Sequence, residues 1–496
     1  MKHTYKIFLI TLIASFINGC NLDVNTDPNR VTETTVTGAL IFPAAAHEVG
    51  QRVASGNFTF LENWIGYWAA SGTFAIDATE TTYNITPSFG DALWLNHYNV
   101  LFDLEQARSK AIASGDNLTA AASMILSARL WQDLVDIYGN IPYSQAFQYA
   151  KYPLPAYDKG QDIYNDLQTK LDQAITYMSS PGLSSFATTD IVNKGDQTKW
   201  IKFANTLKLR LLIRQSEISG FSATTEANKI MANGGVLQAG ETISVNPGYT
   251  KATNKQSPFY ANYGFTVNDA EAAPAVRANN YFVNMLTLNG DPRLKRYFLN
   301  VGSNVVGCTY GLAAGNPLVS SGIGPGLANN DAQSQWIFTS VESLFLEMEA
   351  IERGWITNDG TAAAKYSQAV AESFTFLGVA NASTAAAAYV TAFPYLGGST
   401  ANLKSMLLQK YISMCGIASL EAWSDLRRIG FDIIPATVPA TPSGTPYYSV
   451  NPGVVGSGAI PVRLLYAQSE YTTNADNVNA QGTINQFTSK IFWDVN

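Results

Sequence analysis

The sequence predicts an all-α protein, a scaffold of helical hairpins carrying long loop insertions and a few short strands. Three observations lead there. Apolar residues recur at helical spacing through most of the 496 residues. Four pairs of such segments have the size of tetratricopeptide hairpins, although none carries that consensus in full, so spacing alone does not establish a repeat. Between the pairs lie stretches rich in Gly, Pro, Asn and Tyr with no period at all.

The segment Leu118 to Tyr138 shows the period best: Leu126, Leu130, Leu134 and Ile137 fall within an arc of about 80°. Ser127, Trp131, Val135 and Tyr138 take the adjoining arc. Arg129, Gln132, Asp133 and Asp136 gather opposite, as an ordinary ion-pair face would. An apolar face approaching half the circumference must meet more than one neighbour, as in stacked helical hairpins. Similar helices are expected at 39–54, 58–70, 91–114, 160–179, 197–217, 223–233, 270–289, 339–353, 361–378, 382–392, 400–415 and 418–429. Gly139, Gly354 and Gly430 stand where a left-handed turn would end three of these helices. The hairpins pair 91–114 with 118–138, 160–179 with 197–217, 339–353 with 361–378, and 400–415 with 418–429. Residues 234–269, the seven glycines from Gly302 to Gly326, and 435–461 are irregular, and a short strand is expected at Thr242 to Val245. Long irregular loops on a compact domain are more often functional surface than filler.

The chain opens with Lys2 and Lys6 before an apolar run from Ile7 to Ile17, the pattern of a secretory signal peptide. That run of 11 residues is too short for a bilayer, which needs about 20 helical residues. Ile17, Asn18, Gly19 and Cys20 then look like a bacterial lipoprotein box with an unusual Asn18, so Cys20 is the expected lipidation site. Residues 1–19 read as the signal peptide, 20–35 as lipidated Cys and polar tether, and 36–496 as one domain. Removing the signal peptide leaves 29 basic against 38 acidic residues. So acidic a surface argues against nucleic acid as a partner. Of the two other cysteines, Cys308 lies in a Gly-rich loop and Cys415 in a helix, and they are expected to stay unpaired.

No catalytic constellation emerges. His47 and His97 are the only histidines after the signal peptide, on separate helices, and neither Cys308 nor any serine has a nucleophile context. No cluster has metal-ligand spacing and no Gly-rich phosphate loop opens a helix, so no metal or cofactor is expected. A helical carbohydrase needs only two carboxyl groups. Glu62, Asp77, Asp103, Asp133, Asp136, Glu347 and Glu349 are candidates by number, but read better as caps, solvated faces and arginine partners.

Several segments spread over the chain together resemble the SusD/RagB family of outer-membrane nutrient-binding lipoproteins, in its SusD-like branch. They are LWLNHYNVLFDLEQARSKA (93–111), ARLWQDLVDIYGNIPYSQAF (128–147), GDPRLKRYF (290–298), SLFLEMEAIERGW (343–355), LLQKYISMCGIASLEAWSDLRRIGF (407–431), IPVRLLYAQSEYTTNADNV (460–478) and KIFWDVN (490–496). Glu347-Met348-Glu349 departs from the alanine-richer run expected there. Within these motifs Trp131, Tyr138, Trp423 and Trp493 fall where rings pack helices, and Asp425 with Arg428 is a helical pair. The resemblance implies a tetratricopeptide-like scaffold of four helix pairs spanning about 91–217 and 339–430, with ligand loops inserted at about 71–90, 234–335 and 431–461. It also implies no enzymatic activity, attachment to the outer membrane facing the cell exterior, and a complex with a SusC-like TonB-dependent transporter, over which the lipoprotein acts as a hinged lid.

The expected ligand is an oligosaccharide, because sugar rings stack their C–H faces on aromatics while amides and carboxylates bind the hydroxyls. The chain has 58 aromatic residues to draw on. Candidate contacts are Trp68, Phe74, Asp77 and Tyr83 in the stretch after the second helix, and Tyr260, Tyr263 and Tyr310 in the later loops. Peptide capture is the rival within the family, and a surface-anchored glycan hydrolase or lyase the rival from another class.

Overall fold

The computed structural model describes residues 36–181, 184–398, 400–439, 444–456 and 459–496. The signal peptide, Cys20 and the tether lie outside these, and of the N-terminal unit ending at Thr37 only residues 36 and 37 are described. The principal helices are α1 (Gly38–Val53), α2 (Thr59–Trp64), α3 (Asp91–Ala113), α4 (Asn117–Tyr138), α5 (Gly160–Met178), α6 (Gln197–Arg214) and α7 (Thr224–Ala232). After the long irregular stretch come α8 (Asn280–Leu288), α9 (Ser340–Glu352), α10 (Ala362–Phe376), α11 (Ala382–Ala392), α12 (Thr400–Met414) and α13 (Ser419–Ile429). Side-chain caps start several of them: Asp116, Asp196, Thr339 and Thr361 accept from backbone N–H groups one turn on. Gly139, Gly354 and Gly430 all sit at positive φ just past helix ends, as expected. The fold is all-α, and each of the four expected pairs packs side by side: α3 on α4, α5 on α6, α9 on α10, α12 on α13.

Strand content is limited to four two-stranded antiparallel ribbons among the described residues: β1 (Trp68–Ala70) with β5 (Val276–Ala278), β2 (Ile141–Pro142) with β3 (Tyr157–Asp158), β4 (Ile243–Val245) with β6 (Gln335–Phe338), and β7 (Thr437–Val438) with β8 (Thr445–Pro446). Two expected helices are therefore shorter than their apolar pattern. The 58–70 segment stops at Trp64 because the chain turns through Gly66 at φ 87°, and Trp68–Ala70 joins a strand instead. The 270–289 segment becomes helical only at Asn280: Asn279 is the cap, its side chain accepting from Tyr281 N and donating to Trp68 O.

The polar arc of α4 does not face water. Every residue from Leu118 to Tyr138 except Ser127 is buried, Arg129, Gln132, Asp133 and Asp136 among them. Counter-charges from other helices make this tolerable, since a buried charge must be paired and hydrogen-bonded. Asp136 accepts from Arg214 Nε at 3.1 Å, from Trp493 Nε1 at 2.8 Å and from Tyr164 Oη. Arg214 also donates to Glu421 at 2.6 Å, Lys410 bridges Glu421 and Asp425, and Arg428 grips Glu349 with Nη1 at 2.6 Å and Nη2 at 2.9 Å. Arg210 joins Gln132 at 2.8 Å and Glu342 at 3.2 Å. Arg427 lies over the rings of Trp423 and Trp493 while donating to the carbonyls of Asp136 and Val462. Five of the sequence segments that resemble the family thus meet in one buried ionic hub. A sixth reaches the same helix α12, where Arg293 donates to Gln409 and Ser413 at 3.1 Å each. Asp425 and Arg428 form the expected i, i+3 pair at 2.8 Å, and Cys308 and Cys415 are separate buried thiols.

Candidate functional site

Three of the inserted loops converge. The first, 71–90, begins with Ser71 N donating to Ala275 O and contains a single helical turn, Ala78–Thr81, capped by Asp77, whose Oδ1 accepts from Thr79 N at 2.8 Å and Glu80 N at 3.2 Å. Glu80 fastens this turn: its carboxylate accepts from Asn63 Nδ2 at 2.7 Å and from Tyr310 Oη at 3.2 Å, linking α2, the first loop and the second. Burial pushes the Glu80 carboxyl up to about 7. The third loop closes on the other two. Ser449 N donates to Tyr83 Oη at 2.8 Å, Val450 N to Tyr310 O at 3.0 Å, Val455 N to Thr82 O at 3.0 Å, and Asn451 Nδ2 to Thr81 Oγ1 at 3.1 Å.

Close backbone approach at the junction depends on glycine. A Cβ on Gly311, which has φ 79°, would lie 2.1 Å from Ser449 Oγ and 2.9 Å from Asn451 N. One on Gly72 would lie 2.3 Å from Asn316 O. Asn316 fills the gap between the first two loops, accepting from Thr309 N at 2.7 Å and donating to Thr309 O at 3.0 Å. The three loops leave four large apolar side chains exposed, here called the crown: Phe74 at 44%, Leu318 at 71%, Val319 at 69% and Val450 at 37% exposure. Beside it a cavity of about 750 Å³ opens between α8, with Asn280, Asn284 and Thr287, and the second loop, with Asn304, Val305 and Pro317. A ring and aliphatic edges flanked by side-chain amides can hold an amphiphilic ligand.

The seven ring and carboxylate candidates divide. Phe74 is exposed on the crown, and Asp77 is at the junction but spends one oxygen on its cap. Tyr83 and Tyr310 are there too, yet buried, and their hydroxyls tie loop to loop. Tyr83 holds φ 59°, a left-handed conformation rare for a side chain of its size. Trp68 and Tyr263 are likewise buried. They pack on each other at 5.0 Å and, with Glu62 and Arg129, wall a cavity of only about 40 Å³, room for water but not for a sugar ring. Tyr260 is half-buried beside Phe265 and does not join the junction loops. Leu318, Val319 and Val450 were not legible as individuals, although their Gly-, Asn- and Pro-rich surroundings mark the regions.

The carboxylates numbered as candidate acids sit in structural roles. Asp133 is held down to about 2 by Arg129, against the opposing effect of its burial, and Glu349 to about 2 by Arg428 and Arg353. Glu62 accepts from Gly416 N at 3.0 Å, and burial pushes its carboxyl up to about 8. A carboxyl raised above its unfolded value stabilises the fold fully below about pH 4.5 and loses that contribution as pH rises toward 8. Unfolding stability is therefore expected to drop between pH 5 and pH 8, by on the order of 4 kcal/mol from Glu62. Urea titrations at both pH values read this directly, and Glu62→Gln should reduce the drop while leaving the smaller share that Glu80 contributes; an unchanged drop in the variant would exclude Glu62 as a source. Among the described residues no group of His, Cys, Asp or Glu is placed to hold a metal ion, and no helix is long and apolar enough to cross a membrane.

Comparison with known proteins bears on this geometry. No curated protein sequence matches the chain. Among solved structures, a chitin-binding protein superposes with a TM-score of 0.72 at 26% identity, covering 92% of this chain and 99% of its own. A chitin-binding SusD homolog from Flavobacterium johnsoniae gives 0.72 at 22% identity with the same coverage, and a SusD homolog from Bacteroides uniformis gives 0.74 at 21%, again over 92% and 99%. The family described as starch-binding and associating with the outer membrane matches residues 28–449. With the fold, the hub built from its motif segments and that match in agreement, the chain belongs to the SusD-like family.

Proposed function

We propose that this protein captures an oligosaccharide at the three-loop junction and passes it to a SusC-like TonB-dependent transporter, acting as a hinged lid on the outer face of the outer membrane, to which Cys20 anchors it. The observation that supports this most is the convergence of three separate insertions into one crown carrying an exposed ring, Phe74, on loops fixed by their own hydrogen bonds. A preorganised site loses less entropy on binding. The junction carboxylates are already bonded to cap or strut, which favours a binder over a hydrolase or lyase. Two of the similar structures are chitin-binding proteins, so a chitooligosaccharide is the first ligand to try.

Calorimetry of the protein without residues 1–20 against chitohexaose, maltohexaose and a set of peptides tests the reading. Phe74→Ala should weaken the best glycan by about tenfold, the loss of one stacking face. Binding only to peptides would move the protein to the rival reading, and steady turnover of any polysaccharide would sink the lid. For the anchor, Cys20→Ala should shift the protein from the membrane to the soluble fraction in cells lacking the transporter; retention in the membrane would count against lipidation. Co-purification of a TonB-dependent barrel with the tagged protein is the matching test of the partner.

A further inference from the structure

A second cavity, of about 490 Å³, lies on the helical scaffold between α3, α4, α5 and the turn that follows α4, and shares no residue with the loop junction. Its size falls within the roughly 300–1,000 Å³ of small-ligand sites. Trp131, Tyr143 and Phe147 give it aromatic walls, with Trp131 4.9 Å from Tyr143 and 6.0 Å from Phe147. Two other large cavities lack such walls: the one of about 750 Å³ has no aromatic ring, and one of about 640 Å³ has only the imidazole of His47.

Two features set this cavity apart from a packing defect. Ser127 is the one residue from Leu118 to Tyr138 that is not buried, and it opens onto this space. Phe147 keeps φ 64°, a left-handed conformation unfavourable for a residue with a Cβ, and its ring lines the cavity and lies 5.7 Å from Phe102.

The polar lining identifies the ligand chemistry. Arg108 is spent on Glu105, with Nε at 2.7 Å and Nη2 at 2.5 Å from its two oxygens. Lys170 pairs with Asp166 at 3.0 Å and lies over the Tyr143 ring. Charges already compensated give an ionic ligand no counter-ion. Gln106 and Ser127, by contrast, have no side-chain hydrogen-bond partner among the described residues. A neutral amide and a hydroxyl beside aromatic rings suit an uncharged molecule rich in hydroxyls.

We propose that this scaffold pocket is a second saccharide site, taking one or two pyranose rings against the half-buried ring of Phe147, with the edge of the buried Trp131 behind it and hydroxyls bonded to Gln106 and Ser127. Its ligand class follows the glycan reading of the chain, but its residues are independent of the loop junction.

The test titrates the full-length protein with chitotriose, maltotriose and cellotriose by calorimetry. Ser127→Trp fills the cavity from a position that carries no core packing, and Gln106→Ala removes a donor and acceptor while leaving the helix intact. Circular dichroism melts confirm that both fold. A saturable binding event is expected that weakens at least about tenfold in Ser127→Trp and about fivefold in Gln106→Ala, and is untouched by Phe74→Ala. If no trisaccharide binds, or the pocket variants bind like the parent, the proposal is overturned. Loss of all binding in Phe74→Ala alone overturns the pocket and leaves the junction standing. Loss of all binding in the pocket variants alone does the reverse.

Discussion

Replacing Arg214 by methionine is expected to destabilise the fold by about 3–5 kcal/mol, the cost of leaving buried carboxylates without their partner. Arg214 is 1% exposed and satisfies Asp136, at 1%, and Glu421, at 2%. Methionine fills much of the volume, so the loss is electrostatic rather than a cavity. Against the 5–15 kcal/mol that holds a typical domain, it is a large fraction. Urea denaturation of the variant measures it. A triple variant, Arg214→Met with Asp136→Asn and Glu421→Gln, should recover part of the loss, because neutral amides need no counter-charge. If the triple variant is no more stable than the single, the cost lies in packing against Trp493 rather than in unpaired charge.

The second large effect is expected at Gly311. Valine there meets two obstacles: a left-handed backbone that costs about 1–2 kcal/mol, and a Cβ within 2.1 Å of Ser449 Oγ. Relief requires the third loop to back away, adding about 1–3 kcal/mol of overpacking and parting the hydrogen bond from Val450 N to Tyr310 O. The scaffold does not depend on this contact. Glycan affinity at the junction should therefore fall at least about tenfold while helical content is kept. Calorimetry paired with circular dichroism separates the two, and an unaltered affinity would show that the junction does not shape the site. Gly72→Ala should act in the same direction through Asn316 O.

How far the sequence can be read depends on the distance over which each interaction acts. Helices are local, and their period, caps and glycine stops put α3, α4, α9 and α13 within a few residues of their observed bounds. The environment of a polar arc is not local. Arg129, Asp133 and Asp136 present the same spacing whether they meet water or the charges of another helix, and Trp493, which donates to Asp136, is 357 residues away in the chain. The same holds for rings. Tyr83 lies in a Thr-rich stretch and Tyr310 in a Gly-rich one, both of which look like surface, and only the third loop folding over them makes them struts. Trp68 became a strand residue through pairing with a segment about 200 residues later. The loop regions of the site were legible by composition, and Phe74 within them, but the crown of Leu318, Val319 and Val450 is set by which loops meet.

The ionic hub also constrains the order in which the molecule assembles. Its members come from α4, α6, α9, α12 and α13, and from Trp493 in the last segment of the chain. A ribosome still making that segment leaves Asp136 lacking one donor and Arg427 lacking one of its two rings. The earlier helix pairs can form and touch, but their shared charges stay incompletely paired until Val462 and Trp493 join them. Closure of the hub is then a step that couples distant parts of the sequence, not one that proceeds pair by pair.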